Sequence, residues 1–314
     1  MSEDAPHSGR CAIVGRPNVG KSTLLNRVLG QKLAIATPKP QTTRTNILGV
    51  YASLDPPLQV AFVDTPGLHR PGNALGRALM ERAKGSVLDA EVVLLVTDVG
   101  HGATVDAVLG EEERTLLEQL GEDGRPVLLA INKIDRLKTR DALLPLIEAL
   151  QKVFPFAGIV PISAQRGDNV TALVQEIGAQ LPVGLRYDPE LLTDKSERFF
   201  AAELVREAVI RKTRQEVPYA VAVVVEEFTE EPTLTRIAAT VIVEREGHKP
   251  ILIGKGGQRL KEIGTRARQE IEKLLERKVF LKLWVKVVPG WTDNPARVQE
   301  LLEQDAQAGV ETEV

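Results

Sequence analysis

The sequence predicts a doubly wound α/β domain followed by a smaller α+β domain, and three observations support this division. Near the start, short apolar runs alternate with segments of helical periodicity, which is typical of a parallel sheet covered by helices on both faces. Prolines, a glycine and mixed charges then indicate a linker at 183–195. Beyond it, strands rich in valine and threonine flank a glycine-containing loop and an amphipathic helix. We therefore expect domains at 8–182 and 196–303, and an acidic tail at 304–314.

The charge of the chain is distributed unevenly. Of 314 residues, 43% are hydrophobic and 26% are charged, and the formal net charge is -3. Between Lys249 and Lys286 there are eleven Lys or Arg against four Asp or Glu, a local charge of +7, so the remainder sums to -10. This segregation indicates that the C-terminal part meets a polyanion.

The single cysteine and the lack of long apolar runs indicate the cellular compartment in which the protein is expected. Cys11 lies in the apolar stretch CAIVG, which favours a buried small hydrophobe over a reactive thiol. The N-terminus has no apolar signal core, and no apolar run reaches the length that spans a bilayer. We expect a cytoplasmic protein in a reducing environment.

Five apolar runs predict the strands of the first domain, and helical periodicity predicts helices between them. Because the carboxyl ends of parallel strands meet at one edge of a sheet, ligand-binding loops are expected there. The strands are predicted at Cys11–Gly15, Val60–Asp64, Val92–Asp98, Val127–Asn132 and Gly158–Ile162, and two of the helices at Thr139–Val153 and Val170–Leu181.

The segment GRPNVGKST follows the first predicted strand and opens a helix. It matches G-x-x-x-x-G-K-[ST] in full, and its context favours a phosphate-binding loop over an ordinary glycine turn. Lys21 would reach the β- and γ-phosphates and the Ser22 hydroxyl would coordinate Mg²⁺, while backbone N–H groups close around the phosphates. The nucleotide-binding residues predicted here are Asn18, Gly20, Lys21, Ser22 and Thr23.

Two further strand ends carry residues suited to magnesium and guanine. In FVDTPG, Asp64 can hold the magnesium shell and the Gly67 N–H can meet the γ-phosphate. In INKID, the Asp135 carboxylate has two acceptor oxygens that match guanine N1–H and the exocyclic amine, a donor pair that adenine lacks.

The remaining guanine-site residues flank these two segments. Asn132 can tie the loops together, and the aliphatic stem of Lys133 can cover the base. Ser163 and Ala164 end the last strand, where a backbone N–H would reach guanine O6. The order and placement of the motifs together predict a guanine-nucleotide site.

The segments GRPNVGKS, DTPG, NKID and SA resemble the four fixed motifs of the P-loop GTPases, which have a Ras-like doubly wound sheet. The resemblance implies that KPQTTRT, Lys39–Thr45, is a switch loop in which a threonine closes on Mg²⁺ and the γ-phosphate. Thr43 is favoured over Thr42, and an ordinary polar loop is the alternative. The predicted switch residues are Thr42, Thr43, Asp64, Gly67 and Leu68.

Leu68 departs from the Ras pattern, in which a glutamine at this position orients the attacking water. The resemblance is to translation-factor-related GTPases with a hydrophobic residue here, so intrinsic hydrolysis is expected to be slow. In related GTPases, an asparagine at the position of Asn18 helps to hold a K⁺ ion that acts like an arginine finger. The alternative is an asparagine selected for loop geometry.

The second domain is predicted to have the element order α-β-β-loop-α-β. On the last strand, Lys282, Trp284 and Lys286 share the face opposite the leucines, and Trp284 is expected to pack against a helix. Trp291 either stacks on a base or anchors the C-terminal helix. The predicted elements are the helix Glu197–Arg214, the strands Tyr219–Phe228, Leu234–Glu244 and Val279–Val288, and a helix that includes Leu260 and Leu275.

The second glycine-lysine loop, in ILIGKGGQRLKEIG, lacks the P-loop spacing and joins two helical segments. It resembles the GxxG loop of a KH domain, and the α-β-β-α-α-β order resembles a type II KH domain. Such a loop clamps about four nucleotides of a single strand. A glycine cap between two helices, beside a solvated charged face, is the alternative. The predicted RNA-binding residues are Ile253, Gly254, Lys255, Gly256, Gly257, Arg259 and Lys261, with bases also against Ile251.

A P-loop GTPase domain followed by a KH domain resembles the Era family of bacterial ribosome-assembly GTPases over residues 10–303. The resemblance implies GTP/GDP and Mg²⁺ as ligands, binding to the 3′ end of small-subunit ribosomal RNA, and a role in maturation of the small ribosomal subunit. It also implies peripheral association with the cytoplasmic membrane, which the net charge of -3 and the lack of a long basic amphipathic helix disfavour. We expect a monomer.

Two other functions remain open at this stage. One is a nucleotide-regulated RNA-binding module or chaperone in which hydrolysis is incidental. The other is a GTPase that helps to modify transfer RNA, which ranks last because no cysteine, metal or cofactor site for such chemistry is evident in the sequence.

Overall fold

The computed structural model describes residues 5–39, 42–68, 71–100, 102–188, 190–213 and 217–307. The chain forms two compact units. The first comprises residues 1–36, 46–70 and 80–194, and the second comprises residues 37–45, 71–79 and 195–314. The predicted switch loop is therefore grouped by its contacts with the second unit, although it precedes most of the first unit in sequence. The boundaries 8–182, 183–195 and 196–303 stay a prediction.

The first unit contains a six-stranded sheet with the strand order β2-β3-β1-β4-β5-β6. Only β2 runs antiparallel to its neighbour β3, and the other pairs are parallel. The five predicted parallel strands are confirmed. The strands are β1 His7–Val14, β2 Ile47–Leu54, β3 Pro57–Asp64, β4 Val92–Asp98, β5 Val127–Asn132 and β6 Gly158–Pro161.

Helices flank this sheet, and its central strands form the core. Every residue of β4 and β5 is buried, as expected for parallel strands covered on both faces. Cys11 on β1 is fully buried, and this burial raises the pKa of its thiol, so the interpretation as a buried hydrophobe is confirmed. The helices are α1 Lys21–Leu29, α2 Ala74–Leu88, α3 Val105–Val108, α4 Glu111–Asp123, α5 Leu143–Gln151 and α6 Val170–Gly178. The start of α2, residues 74–79, is grouped with the second unit.

The segment predicted as a linker is hydrogen-bonded to the edge of the first sheet. The Val50 N–H on β2 donates to Leu192 O over 2.8 Å. The Thr193 hydroxyl donates to Leu48 O over 2.6 Å, and the Gln59 amide donates to Tyr187 O over 2.8 Å. This part of the chain is therefore fixed against β2 and β3 up to the start of the second unit.

The second unit has the predicted α-β-β-α-α-β order, followed by a C-terminal helix. Its three-stranded sheet has the order β7-β8-β9, with β7 and β8 antiparallel and β8 and β9 parallel. The C-terminal helix extends past the predicted start of the tail at 304, and residues 308–314 lie outside the described residues. The elements are α7 Glu197–Lys212, β7 Val221–Glu230, β8 Leu234–Val243, α8 His248–Ile253, α9 Gln258–Leu275, β9 Lys278–Val287 and α10 Pro295–Gln307.

The two tryptophans have opposite environments. Trp291 is 1% exposed and packs with Val298 and Leu301 of α10, which supports its interpretation as an anchor for the C-terminal helix. Trp284 on β9 is 41% exposed, so the prediction that it packs against a helix was wrong. It lies on the strand face that points away from α9, because its neighbours Leu283 and Val285 pack against the core.

Among the helices in the described part of the chain, none combines the length and apolar character required to cross a membrane.

Candidate functional site

The phosphate-binding loop lies between β1 and α1, as its motif predicts. Gly20 has a φ of 106°, and a Cβ atom there would lie 2.3 Å from Asn132 Nδ2. Only glycine fits this position, because it tolerates the left-handed backbone and allows the close approach of Asn132. Lys21, Ser22 and Thr23 then form the first turn of α1, so the helix N-terminus points its N–H groups at the loop.

The Lys21 ammonium is held inside this loop. Its Nζ donates to Gly15 O over 2.9 Å and to Arg16 O over 3.1 Å, and the residue is 7% exposed. Burial lowers the pKa of Lys21 to about 8, although the negative charges of Asp64 and Glu113 oppose this decrease. The Lys21 ammonium has lost most of its hydration inside this loop of backbone N–H groups. Phosphate oxygens would therefore bind well here, because they would replace the water that the ammonium has lost.

Ser22 and Asp64 supply the oxygen atoms that a magnesium ion prefers. The Ser22 hydroxyl on α1 donates to Asp64 Oδ2 at the end of β3 over 2.6 Å. A hydroxyl and a carboxylate at this separation fit a hard cation such as Mg²⁺, which usually binds to one or two protein oxygens together with phosphates and water. These two predicted metal ligands are brought together. Thr43, the third, is buried within the second unit, and its contact with the ion stays a prediction.

The residues predicted to recognise guanine converge at the ends of β5 and β6. Asn132 Nδ2 donates to Val19 O over 2.8 Å, and Asn132 Oδ1 accepts from the Ala164 N–H over 2.9 Å. The Ser163 hydroxyl donates to Asp135 Oδ1 over 2.6 Å. Asn132 thus ties three loops together as predicted, and Ser163 fixes the orientation of the Asp135 carboxylate.

The backbone N–H groups of Ser163 and Ala164 both have partners inside the protein. Ser163 N donates to Asp168 O over 3.1 Å, and Ala164 N donates to Asn132 Oδ1. Contact of either group with guanine O6 therefore requires a shared hydrogen bond, and it stays a prediction.

Lys133 connects the guanine side of the site to the phosphate loop. Its backbone is left-handed, with a φ of 64°, and its Nζ donates to Asn18 O over 2.6 Å and to Asp98 Oδ2 over 2.7 Å. The lysine side chain thereby joins the phosphate loop to the end of β4, and its contact with a base stays a prediction. Asp98 was not predicted as a site residue, although its place at the end of the predicted strand Val92–Asp98 was a usable signal.

An ion pair between the partly exposed Arg16 of the phosphate loop and the buried Glu113 was also not predicted. Arg16 Nε lies 2.7 Å from Oε1 of Glu113, a fully buried residue of α4, and Arg16 Nη2 donates to Val108 O over 3.1 Å. Burial raises the pKa of Glu113, and the Arg16 charge opposes this increase. The signal for Glu113 was its place three residues after Gly110, whose N–H donates to its carboxylate at the start of α4.

The DTPG turn lies directly against the phosphate loop. A Cβ atom on Gly67 would lie 2.8 Å from Pro17 N, so a larger residue would push the two loops apart. The Leu68 N–H donates to Gly15 O over 3.0 Å, and its apolar side chain is buried. Leu68 cannot orient a water molecule by hydrogen bonding, in agreement with the expectation from its residue type.

The switch segment that contains Thr42 and Thr43 is held by elements of the second unit. Arg206 of α7 donates to Thr42 O, and it also forms a buried ion pair with Glu203. The Arg44 guanidinium donates to Val221 O over 2.6 Å and to the carbonyl of residue 219 over 2.8 Å. Two arginine anchors therefore fix the backbone on both sides of Thr43.

The GxxG loop joins α8 to α9, and its three glycines all have positive φ angles. Gly256 has a φ of 59°, and a Cβ atom built there would meet nothing within 4 Å. Lys255 is exposed, while Arg259 folds back and donates to Ile251 O. The loop thus presents bare backbone and a lysine at the surface, where a sugar-phosphate chain can approach closely.

A groove of about 360 Å³ opens beside this loop. Gly257 and Lys261 line one part of it, so two predicted RNA-binding residues contribute to its wall. Its apolar surface comes from α9 and β9, whereas Ile251 and Ile253 do not line it, and the role of Ile253 stays a prediction. The other lining residues are Leu260, Gly264, Thr265, Arg268, Leu281, Lys282 and Leu283.

Comparisons with known proteins match both parts of the chain. Residues 10–133 match the family model of the 50S ribosome-binding GTPases, and residues 216–292 match that of the KH domains. The chain is 45% identical to GTPase Era of Pseudomonas aeruginosa over 306 residues, covering 96% of this chain and 97% of that protein. It is 47% identical to GTPase Era of Lacticaseibacillus paracasei over 303 residues, covering 96% and 97% of the two chains.

Two solved structures of Era are similar to this chain over nearly its whole length. One is Era in complex with MgGDPNP and nucleotides 1506–1542 of 16S ribosomal RNA, and the other is a variant of Aquifex aeolicus Era bound to GDP and AlF4⁻. Each has a TM-score of 0.88 and 43% identity, covering 94% of this chain and 98% of the other. This chain is a GTPase, and it belongs to the Era family.

Proposed function

We propose that this chain is a GTP- and Mg²⁺-dependent switch that binds the 3′ end of small-subunit ribosomal RNA and assists maturation of the small ribosomal subunit. The observation that carries this proposal is that one chain combines a guanine-nucleotide site with an exposed GxxG loop and its adjoining groove. The solved structure of a relative with 43% identity contains both MgGDPNP and nucleotides 1506–1542 of 16S ribosomal RNA, which supports the same pair of ligands for this chain.

The residues of the first unit divide the work of binding the nucleotide. Asp135, fixed by Ser163, accepts hydrogen bonds from the guanine edge, while Lys21 and the N-terminus of α1 bind the phosphates. Ser22 and Asp64 would hold Mg²⁺, which neutralises charge that develops on the phosphates during hydrolysis. The Gly67 N–H would contact the γ-phosphate, and the buried loop excludes bulk water from Lys21.

The switch segment would carry the nucleotide state to the RNA-binding unit. Thr43 would close on Mg²⁺ and the γ-phosphate, and hydrolysis would release it. Arg206 and Arg44 hold the flanking backbone against α7 and β7. A change at Thr43 is therefore transmitted directly to elements of the RNA-binding unit, and it biases RNA affinity if the two states bind RNA differently.

RNA affinity is expected to depend on the bound nucleotide. A 3′-terminal fragment of small-subunit ribosomal RNA should bind at least about fivefold more tightly with a GTP analogue than with GDP, because allosteric couplings are typically worth about 1–3 kcal/mol. Fluorescence anisotropy with each nucleotide measures this ratio. Equal affinities would contradict the coupling. The comparison variant is Arg44→Lys. It keeps the positive charge but cannot donate to both carbonyls as arginine does, so it should lower the ratio of the two RNA affinities.

We also propose that a K⁺ ion near Asn18 supplies the charge that Leu68 cannot. Asn18 is exposed and has a left-handed backbone with a φ of 64°, and its carbonyl accepts from Lys133 Nζ over 2.6 Å. A cation there would stabilise negative charge on the β–γ bridge in the transition state. The competing interpretation is that asparagine was selected because it tolerates this backbone conformation.

Hydrolysis is expected to run about tenfold faster or more in K⁺ than in Na⁺, since one well-placed electrostatic contact is typically worth that or more. Asn18→Gly removes the side-chain carbonyl and keeps the left-handed backbone, so it should abolish the difference while GTP affinity changes little. Phosphate release at equal ionic strength gives both rates. Equal wild-type rates in the two salts would favour the role in loop geometry.

The rival function, an RNA-binding module with incidental hydrolysis, is favoured if neither K⁺ nor RNA accelerates turnover. We place the protein in the cytoplasm as a monomer, where ribosomal subunits are assembled. Peripheral association with the membrane remains a prediction from the family resemblance. Fractionation of cell extracts tests it, and protein that stays entirely in the soluble fraction would remove it.

A further inference from the structure

The outer face of β9 carries alternating cationic and aromatic side chains. Successive residues of a strand point to opposite faces, so this set, which we call the outer row, shares the face turned away from α7 and α9. All five of its residues are exposed, and Phe280 and Trp284 are 51% and 41% exposed. Since β9 is at the edge of the sheet, the row borders solvent along its length. The outer row is Lys278, Phe280, Lys282, Trp284 and Lys286.

The lysines of the outer row make no ion pair with any residue in the described part of the chain. The acidic Glu231 pairs with Arg236 over 2.6 Å, and the Glu226 carboxylate accepts from the Thr240 hydroxyl over 2.6 Å rather than from a lysine of the outer row. The outer row therefore keeps three positive charges that the described residues do not neutralise. Such a field attracts a polyanion.

Cations already lie over both aromatic rings. Lys282 Nζ is 4.6 Å from the Trp284 ring centroid, and Arg236 Cζ is 5.6 Å from that of Phe280. Arg236 sits directly across from Phe280 in the register of β8 and β9. Exposed rings beside cations are the arrangement that binds single-stranded nucleic acid, because bases stack on the rings while the cations contact phosphates.

Lys282 links the outer row to the groove beside the GxxG loop. It lines that groove together with Leu281 and Leu283, and it also covers Trp284. A strand of RNA that leaves the groove past Lys282 would meet Trp284 next. A GxxG groove holds only about four nucleotides, so a longer single strand needs a second surface.

We propose that the outer row is a second contact surface for single-stranded RNA, which takes nucleotides that flank those in the GxxG groove. This inference rests on the proposed RNA-binding function and assigns additional residues to it. A second copy of the chain is a poorer occupant, because a twofold contact would place the lysines of two identical rows against each other. In the alternative interpretation the outer row binds no ligand, and its lysines only prevent this edge strand from pairing with strands of other molecules.

The test compares two RNAs from the 3′ end of small-subunit ribosomal RNA. The short one, of about five nucleotides, fills the groove, and the long one, of about twelve nucleotides, extends beyond it. Wild-type protein should bind the long RNA more tightly. In the double variant Phe280→Leu, Trp284→Leu, this advantage should fall by roughly tenfold or more, since each lost stacking contact costs that order, while affinity for the short RNA stays within about twofold.

Tryptophan fluorescence provides a readout that a merely structural role would not change. The chain has two tryptophans, and Trp291 is buried, so quenching by the long RNA reports on Trp284. We expect the long RNA to quench and the short RNA not to quench. Lys278→Gln, Lys286→Gln, which leaves both rings intact, should reduce the salt dependence of binding to the long RNA and leave that of the short RNA unchanged.

The outcomes separate this inference from the function on which it rests. If the double variant keeps the full advantage for the long RNA, the outer row is not an RNA surface, although the GxxG site stands. If wild-type protein binds neither RNA, the proposed RNA-binding function is wrong, and the role of the outer row is then wrong as well. If the double variant instead loses binding to phosphatidylserine vesicles or loses self-association, with RNA binding unchanged, the face belongs to a membrane or to a second copy.

Discussion

Asp135→Asn is expected to weaken GTP binding by roughly a hundredfold or more and to create a preference for xanthine nucleotides. In its proposed role the carboxylate would accept two hydrogen bonds from guanine, and removing one partner of a charge-assisted pair typically costs about 2–5 kcal/mol. An asparagine amide instead donates to the carbonyl that xanthine carries in place of the guanine amine. Titration with GTP and XTP analogues measures both affinities.

Ser163→Ala is the matched control for this substitution. It keeps Asp135 but removes the hydroxyl that donates to Asp135 Oδ1 over 2.6 Å, so GTP affinity should fall by about tenfold with guanine preference retained. An Asp135→Asn variant that still prefers GTP to XTP would remove Asp135 from its assigned role.

Gly256→Asp is expected to abolish RNA binding at the GxxG loop, with a loss of about a hundredfold. A carboxylate at this position would face the RNA phosphates, and such like-charge contacts cost several kcal/mol. The variant should fold normally, because Gly256 has a left-handed backbone that Asp tolerates and the space around its Cβ is open. Anisotropy with a 3′-terminal RNA fragment measures the loss.

Gly256→Asn separates charge from shape, since it has the size of aspartate and no charge. The asparagine variant should lose less RNA affinity than the aspartate variant, and the difference between the two affinities should shrink as the salt concentration rises. GTP hydrolysis without RNA should be unchanged in both variants. Full RNA affinity in Gly256→Asp would show that phosphates do not approach this loop.

The sequence was most informative where one residue type is forced by chemistry. The phosphate loop, Asp64, Asp135 and the GxxG loop could be found because each needs glycines or a carboxylate at a fixed distance from a strand end. The parallel strands could be found because burial on both faces leaves continuous apolar runs. Strand β2 was missed although its sequence, ILGVYASL, begins with an apolar run, and only the first half of the strand is well buried.

The contacts that could not be predicted join residues far apart in the sequence. The pairing of Arg16 with Glu113 and of Lys133 with Asp98 depends on how helices and strands pack, and neither residue type by itself indicates its partner. The attachment of the switch segment through Arg44 and Arg206 is of the same kind. Trp284 was misassigned because an apolar residue on a strand is usually buried, whereas its face of β9 is open.

Crosslinking in cells tests the central claim most directly. Cells that carry wild-type protein or Gly256→Asp are irradiated with ultraviolet light, and the RNA attached to the purified protein is sequenced. We predict reads concentrated at the 3′ end of small-subunit ribosomal RNA for the wild type and their loss in the variant. Reads scattered over many RNAs, or an unchanged pattern in the variant, would contradict a GTPase that acts on this site through its GxxG loop.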